Sequence, residues 1–452
     1  MYMTSPPLQG QQKAFDADSG WEAAHAWLRD YLESPRKADT VLPEQRMRDS
    51  IVDRRARRLF HNALRHRIRV EQCLSRHWRR QPRSFLRALL LLGGAEALDT
   101  PEVAEKIVHG TVAFAKSRCS VQEARFVNAL LRAVLPELRT SDPGSTAPPE
   151  VLGHYFSHPA WLVARWRACY GPEATYRLLR WNQRPPRQYL RVMAAAEAPP
   201  GCIPTPWPGF FVWTAHQREG VAALLARGHA YVQDPFTRIP VEQLAVQPGE
   251  RVLDLCAAPG GKSVHLARAV EATGSLTCVD LPGERLDRLE QNLQTLPPEL
   301  HAIVRVRPGD LEARRGAFFE EGESSLEQFD AVLLDVPCSN TGVIRRRPDI
   351  KHRLSEREVR SIAAVQSNLL QTAAELVRPG GRLVYSTCSL EPEENSAQVA
   401  AFLGSPIGRA FRESAVAGSF PPEAGHDGGG SHRLDRIERS GRNAKRRTAR
   451  VP

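Results

Sequence analysis

Val252-Leu253-Asp254-Leu255-Cys256-Ala257-Ala258-Pro259-Gly260-Gly261-Lys262-Ser263 reads as an apolar strand that runs into a turn of small residues and out into a helix. Small side chains let a ligand approach the backbone, and amides exposed at a helix start favour an anionic or polar group. Both properties suit a nucleotide-like cofactor. Asp280 ends the next apolar run, 24 positions beyond Cys256, where an acidic side chain can accept both ribose hydroxyls of an adenosine.

Outward from this turn the pattern alternates short apolar strands with helices. Strands are expected at Arg251–Leu255, Leu276–Val279, Ala302–Val306, Ala331–Leu334 and Arg382–Tyr385, with helices near Ser263–Glu271, Glu284–Leu296 and Val365–Val377. This is the signature of a doubly wound α/β sheet, whose ligands bind at the carboxyl ends of the strands. Two other readings of the turn compete. Residues 256–263 match GxxxxGK[ST] except that Cys256 stands at the first glycine, where a phosphate-wrapping loop needs backbone freedom, and a proline lies inside the loop. A dinucleotide site is weaker still, because GxGxxG is absent.

Two further segments put a cysteine just past a strand: Leu333-Leu334-Asp335-Val336-Pro337-Cys338-Ser339-Asn340-Thr341-Gly342, and Tyr385-Ser386-Thr387-Cys388-Ser389-Leu390 followed by Glu391-Pro392-Glu393-Glu394-Asn395. A lone cysteine there is commonly inert packing, but two beside a cofactor-type turn point to chemistry. The eight cysteines, at 73, 119, 169, 202, 256, 278, 338 and 388, contain no CxxC pair and no histidine at zinc-finger spacing, so neither a disulfide framework nor a metal site is expected.

At 452 residues the chain is long enough for two or three domains. Apolar residues at 42% and charged residues at 25% match a globular protein, and no apolar stretch is long enough for a membrane helix. Met1–Asp18 lacks the basic-then-apolar pattern of a secretory leader, so a cytoplasmic protein is expected. A formal charge of +11 favours a polyanionic partner, nucleic acid first. Trp21–Leu138 has helical periodicity throughout, with a capping box at Ser120 and Glu123 opening a helix that lines up Val127, Leu130, Leu131 and Val134. Asp53–Arg87 carries twelve arginines with Trp78 and three histidines, a density that favours an RNA-gripping surface over a merely solvated face. Ser141–Glu150 has linker composition. The following module holds a helix over Trp161–Arg180 and a strand over Gln188–Val192. From Gly425 the chain is Gly-rich, then Arg-rich, and reads as a basic tail without regular structure.

The three motif segments, in this order, resemble the NOL1/NOP2/Sun family of RNA cytosine-5 methyltransferases. The helical N-terminal region looks like the NusB-type domain fused in the bacterial Sun/RsmB branch, which acts on 16S ribosomal RNA, and Gln233-Asp234-Pro235-Phe236-Thr237-Arg238 looks like the family's element before the cofactor strand. The resemblance implies a multi-domain chain: an all-α NusB-like RNA-binding bundle (20–140), a small α/β linking module (150–235), a Rossmann-like α/β catalytic domain dependent on S-adenosylmethionine (236–420) and the tail (425–452). By resemblance Cys388 is the nucleophile, Cys338 assists removal of the C5 proton and product release, and Asp335 hydrogen-bonds the N3 edge of cytosine. The cofactor would be held by Cys256, Ala257, Ala258, Pro259, Gly260, Gly261, Lys262, Asp280, Arg285, Asp310 and Asp335.

The chemistry agrees with this assignment, since C5 of cytosine is a poor nucleophile until a thiolate has added to C6. The target base must lie in a loop or be flipped out, and Arg345, Arg346 and Arg347 are placed to hold the flanking strand. Asn340 stands where the family usually has glycine, Met193 where asparagine is common, and Phe236-Thr237-Arg238 replaces smaller residues. Asp427-Gly428-Gly429-Gly430-Ser431-His432 stands in place of the family's closing strand. A transfer RNA substrate, or an RNA-binding assembly factor with little activity, stays open beside ribosomal RNA methylation, and a monomer is expected.

Overall fold

The computed structural model describes residues 19–42, 51–193, 196–316 and 328–438. It divides into two units, residues 1–184 with Ile344–Arg353, and Pro185–Val343 with Leu354–Pro452.

The first unit is helical: α1 (Ser19–Glu33), α2 (Ile51–Ser75), α3 (Ser84–Asp99), α4 (Ala104–Arg118), α5 (Val121–Leu138), α6 (Pro149–Tyr155) and α7 (Ala160–Asn182). Helix α3 is apolar all round from Ala88 to Ala95, every residue of that stretch being buried, so it runs through the core. Helix α5 begins at the expected capping box, where Ser120 Oγ accepts the Glu123 amide and the Glu123 carboxylate accepts the Ser120 amide. Its expected apolar face, Val127, Leu130, Leu131 and Val134, is buried. Helix α7 is broken at Gly171, whose φ of 80° lies in the left-handed region that glycine tolerates.

The arginine run on and after α2 is only partly a surface. Arg65 and Arg69 are buried, Arg69 donating to the carbonyls of Leu138 and Tyr155. Arg57, Arg67, Arg76, Arg83 and Arg87 pair with Asp53, Glu71, Glu137, Glu123 and Glu71. Arg58, Arg79 and Arg80 are exposed. Arg345 is likewise not placed to hold RNA: in Ile344–Arg353, which belongs to this helical unit, its guanidinium lies 4.2 Å from the Trp181 ring centre and donates to the Arg184 carbonyl.

On this segment Lys351 is buried and His352 partly buried, and both bond to backbone carbonyls of α2. Lys351 donates to the Arg65 carbonyl at 2.7 Å, and His352 is 2.7 Å from the Leu64 carbonyl. His158 Nδ1 donates to the Phe156 carbonyl, which leaves Nε2 to accept from the Asn182 amide, so a second ring proton would face a donor. Burial pushes the pKa of His158 and His352 well below the usual histidine value, with the charge on Lys351 adding to the effect in both. The unfolded chain takes up these protons below about pH 6.5 while the folded chain refuses them, so stability falls as pH drops through that value. The urea midpoint should therefore be lower at pH 5.5 than at pH 7.5; an equal or higher midpoint at pH 5.5 would contradict the burial of neutral imidazoles.

In the second unit, β1 (Gln188–Val192), β2 (Ile203–Pro204), β3 (Phe210–Trp213) and β4 (Ala230–Val232), with α8 (Arg218–Ala226), form a small antiparallel sheet in the order β2-β3-β1-β4. The expected linking module is thus divided, since α6 and α7 group with the helical unit. Next come α9 (Arg238–Leu244), β5 (Arg251–Leu255), α10 (Ser263–Val270), β6 (Ser275–Asp280), α11 (Glu284–Leu293), α12 (Pro298–His301), β7 (Val304–Asp310), β8 (Arg315–Gly316) and β9 (Phe329–Asp335). The chain continues through α13 (Ile350–Arg353), α14 (Glu356–Glu375), β10 (Val377–Thr387), α15 (Ser396–Gly404), β11 (Phe411–Ser419), α16 (Pro421–Ala424) and β12 (Gly429–Arg436). The large sheet runs β11-β12-β10-β9-β5-β6-β7-β8, parallel from β10 to β7. Strands β10, β9, β5 and β6 are buried between two apolar layers, as a sheet covered on both faces requires, while β7 is only partly covered.

The expectation of irregular chain from Gly425 fails for Gly429–Arg436. Strand β12 pairs with β10 on one side and β11 on the other. Its glycines fit close approaches, because a Cβ on Gly429 would stand 2.2 Å from the Thr387 carbonyl and one on Gly430 would stand 2.3 Å from Asn395 Oδ1. Residues 439–452 of the expected tail, and Met1–Asp18, lie outside the described residues.

Candidate active site

The strand order turns outward on both sides of β5 and β9, and in open α/β sheets the carboxyl ends at such a switch point are where ligands bind. Leu255 pairs with Leu334, and Asp335 with Ser386, so the loops after β5, β9 and β10 start level with one another. In the first loop Cys256 (φ 58°) and Gly260 (φ 99°) take left-handed conformations that fold the turn back on itself. A Cβ on Gly260 would also stand 2.8 Å from Leu289 Cδ1. Asp280, 7% exposed at the end of β6, ties itself to the turn by accepting the Ala258 amide at 2.9 Å, while its other oxygen accepts the Leu281 amide at 2.8 Å. Arg285 lies 3.7 Å from the same carboxylate and donates to the Ala258 carbonyl. At the end of β7, Asp310 accepts the amides of Glu312 and Ala313. Burial, with Asp280 and Asp335 nearby, pushes the Cys256 thiol well above its ordinary range, which makes it a lining group rather than a reactive one.

The other two cysteines meet. Cys338 Sγ and Cys388 Sγ are 3.1 Å apart, although 50 residues separate them in sequence. Asn340 bridges them, its Nδ2 donating to the Cys338 carbonyl at 2.6 Å and its Oδ1 accepting from the Cys388 thiol at 3.1 Å. Asn340 has φ 62°, a conformation that glycine or asparagine adopts most readily, so the asparagine keeps the backbone form of the expected glycine while adding an amide. The Cys338 thiol is held well above the usual thiol range, first by its hydrogen bond with Cys388 and then by burial.

Lys262, at the end of the first turn, places Nζ 2.5 Å from Asp335 Oδ2. Burial alone would lower the lysine's pKa, but the charge and hydrogen bond of Asp335, with Asp254 and Cys388 beyond, outweigh it and raise it. Replacing Lys262 by Met should cost about 1–3 kcal/mol, because a half-buried carboxylate is left without its charged donor. Urea unfolding of Lys262→Met against wild type measures this, and an unchanged midpoint would mean that Asp335 is satisfied without the lysine.

The sequence-predicted residues thus fall into two adjoining groups, the turn with Asp280, Arg285 and Asp310, and the pair of cysteines with Asp335, joined by Lys262. Sequence reading missed Gln366 and left Glu394 unassigned. Both are buried under the cysteine loops, Gln366 on α14 and Glu394 beyond β10. A polar residue among apolar ones on the inner face of α14 was the available signal for Gln366.

A doubly wound sheet of this kind, following a helical NusB-like unit in the sequence, defines a Rossmann-like methyltransferase fold. A model of the NusB family matches residues 11–136, and one described as 16S rRNA methyltransferase RsmB/F matches residues 241–413. The chain is 34% identical over 308 residues to the probable ribosomal RNA small subunit methyltransferase B of Bacillus subtilis (strain 168), covering 66% of this chain and 67% of that protein. It is 38% identical over 260 residues to ribosomal RNA small subunit methyltransferase B of Salmonella arizonae, covering 55% and 58%. The matched stretch therefore spans between just over half and two thirds of these relatives' length. Among solved structures, PH0851 superposes with a TM-score of 0.72 at 22% identity, covering 94% of this chain and 100% of that one. NSun6 from Pyrococcus horikoshii with SFG gives a TM-score of 0.52 at 16% identity, covering 62% and 99%. The chain belongs to the 16S rRNA methyltransferase RsmB/F family.

Proposed function

We propose that this chain methylates C5 of a cytosine in small-subunit ribosomal RNA, with S-adenosylmethionine as donor, through a covalent bond between Cys388 and C6 of the base. The observation that carries the reading is the pair of sulfurs 3.1 Å apart beside the Lys262–Asp335 ion pair. When bound, S-adenosylmethionine supplies an electrophilic methyl group. The residues around the first turn fit it: Asp280 is a buried acid at the end of the second parallel strand, suited to a ribose, and the left-handed backbone at Cys256 opens the turn to a ligand. Asp310, Arg285 and the turn Cys256–Lys262 would complete its binding.

Cys388 attacks C6 as a thiolate, forming a C–S bond and moving the π electrons of the C5–C6 double bond toward C5 and the N3 edge. Asp335, oriented by Lys262, hydrogen-bonds the N3 edge by accepting from the amino group there, and the Lys262 ammonium offsets the negative charge that gathers at that edge. Once C5 carries the new methyl, Cys338 assists loss of the C5 proton; the electrons of that C–H bond re-form the double bond and expel Cys388 as thiolate. The exposed basic residues of the helical unit offer phosphate contacts for the RNA.

The test is transfer of radiolabelled methyl from S-adenosylmethionine to unmodified 16S ribosomal RNA and to transfer RNA. The expected result is 5-methylcytosine in the ribosomal RNA. Label in transfer RNA alone would move the substrate, and binding of ATP with magnesium in preference to S-adenosylmethionine would overturn the cofactor.

A further inference from the structure

Glu394 lies at the end of a short turn, Pro392–Glu394, and none of its surface reaches solvent. Its carboxylate reaches the residue that follows each cysteine. Oε2 accepts the Ser339 amide at 2.8 Å, and Oε1 accepts the Ser389 hydroxyl at 2.7 Å. The Ser339 and Ser389 hydroxyls are themselves 3.0 Å apart, and Thr341 Oγ1 is 3.2 Å from Ser389 and accepts the Leu390 amide. Gln366 secures the carboxylate from α14, its amide donating to Oε2 at 3.0 Å and to the Pro337 carbonyl at 2.9 Å. The turn itself is anchored, because the Tyr385 hydroxyl donates to the Glu394 carbonyl and the Asn395 amide donates to the carbonyls of Ser389 and Glu391.

A buried carboxylate is costly unless its oxygens are occupied by donors, and here the donors come from both cysteine loops. Moving either loop breaks a hydrogen bond to a group that water cannot reach. We propose that Glu394 is a positioning residue that clasps the Cys338 and Cys388 loops together and so sets the spacing of the two sulfurs. The inference rests on the methyltransferase reading for its consequence in turnover, but the spacing it predicts is measurable without turnover.

The test is the rate at which diamide joins Cys338 to Cys388, each thiol giving up a proton and an electron as the azo group is reduced to the hydrazine, read by mass spectrometry of the intact folded protein. Glu394→Ala is expected to slow the joining at least ten-fold and to lower kcat for methyl transfer by a similar factor, with the Kd for S-adenosylmethionine within two-fold of wild type. Glu394→Gln keeps one acceptor oxygen for the Ser339 amide and turns its NH2 toward the rotatable Ser389 hydroxyl, so it should recover most of both rates. Should Glu394→Ala not fold, Ser389→Ala, which removes one arm of the clasp, is expected to show an intermediate slowing. Joining at the wild-type rate in folded Glu394→Ala, or in Ser389→Ala where the former does not fold, overturns the proposal. Wild-type protein that transfers no methyl group, yet joins its cysteines in a Glu394-dependent way, would leave the clasp standing and remove the methyltransferase reading alone.

Discussion

Cys388→Ala should reduce methyl transfer by at least about 10⁴-fold, the scale on which removal of a covalent nucleophile acts, while binding of S-adenosylmethionine stays close to wild type. Alanine is smaller than cysteine, and Cys388 sits in a loop rather than a core, so folding should survive. Cys338→Ala is expected to fail differently. With Cys388 present the C–S bond still forms, but the thiol that assists its breaking is gone, so protein joined to RNA should accumulate and migrate slowly on a denaturing gel. The double variant should show neither product nor adduct. The two sulfurs are close enough that only this asymmetry separates their roles. An adduct in Cys388→Ala, with none in Cys338→Ala, would reverse the assignment.

The parts of the fold that were legible are those whose local pattern and final environment agree. Arg251–Leu255 and Gln188–Val192 are strands with the expected limits, and the Ser120 capping box places the start of α5. The turn, Asp280, Asp335 and both cysteines were legible because the site is carried by strand ends, where the polar residue after an apolar run is conspicuous. Elsewhere tertiary contacts decide. Strand β7 extends to Asp310, past the expected Val306, because its backbone pairs with β6 as far as Pro308 and with β8 through Gly309 and Asp310, whatever its side chains. Helix α14 begins at Glu356, where Ser355 caps it, nine residues before the expected start at Val365, its exposed first turns lacking apolar periodicity. Strand β12 was illegible because three consecutive glycines carry no β preference, although the space left by Thr387 and Asn395 admits nothing larger. Ile344–Arg353 follows directly on the Cys338 loop in sequence, and nothing in its composition foretold that its buried groups would bond within the helical unit. The clasp on Glu394 was hidden for a similar reason: a glutamate in a Pro-Glu-Glu-Asn turn reads as solvent-facing until Ser339, Ser389 and Gln366 close over it.

Gly342→Ala should damage the site through the backbone alone. Gly342 lies between two chain segments, its amide donating to the Cys388 carbonyl at 3.0 Å and its carbonyl accepting the Gly428 amide at 3.0 Å. A Cβ there would stand 2.3 Å from the Gly428 oxygen and 2.9 Å from the Cys388 oxygen. Neither neighbour is the far end of a flexible side chain, so the loops bearing Cys388 and Gly428 must separate. Overpacking of this kind costs about 1–3 kcal/mol, and at about 2–4 °C per kcal/mol for a domain of this general size the melting temperature should fall by several degrees. The larger effect should be on turnover, because the atom displaced belongs to Cys388 itself and a shift of about 1 Å in a reacting group costs on the order of 100-fold. Gly404→Ala is the control. Gly404 also lies in this unit, but no atom stands within 4 Å of its Cβ position, so both the melting temperature and kcat should hold. If Gly342→Ala loses stability yet keeps wild-type kcat below its melting temperature, the loops relax without moving the sulfur, and the spacing of the cysteines is less tightly coupled to catalysis than their geometry implies.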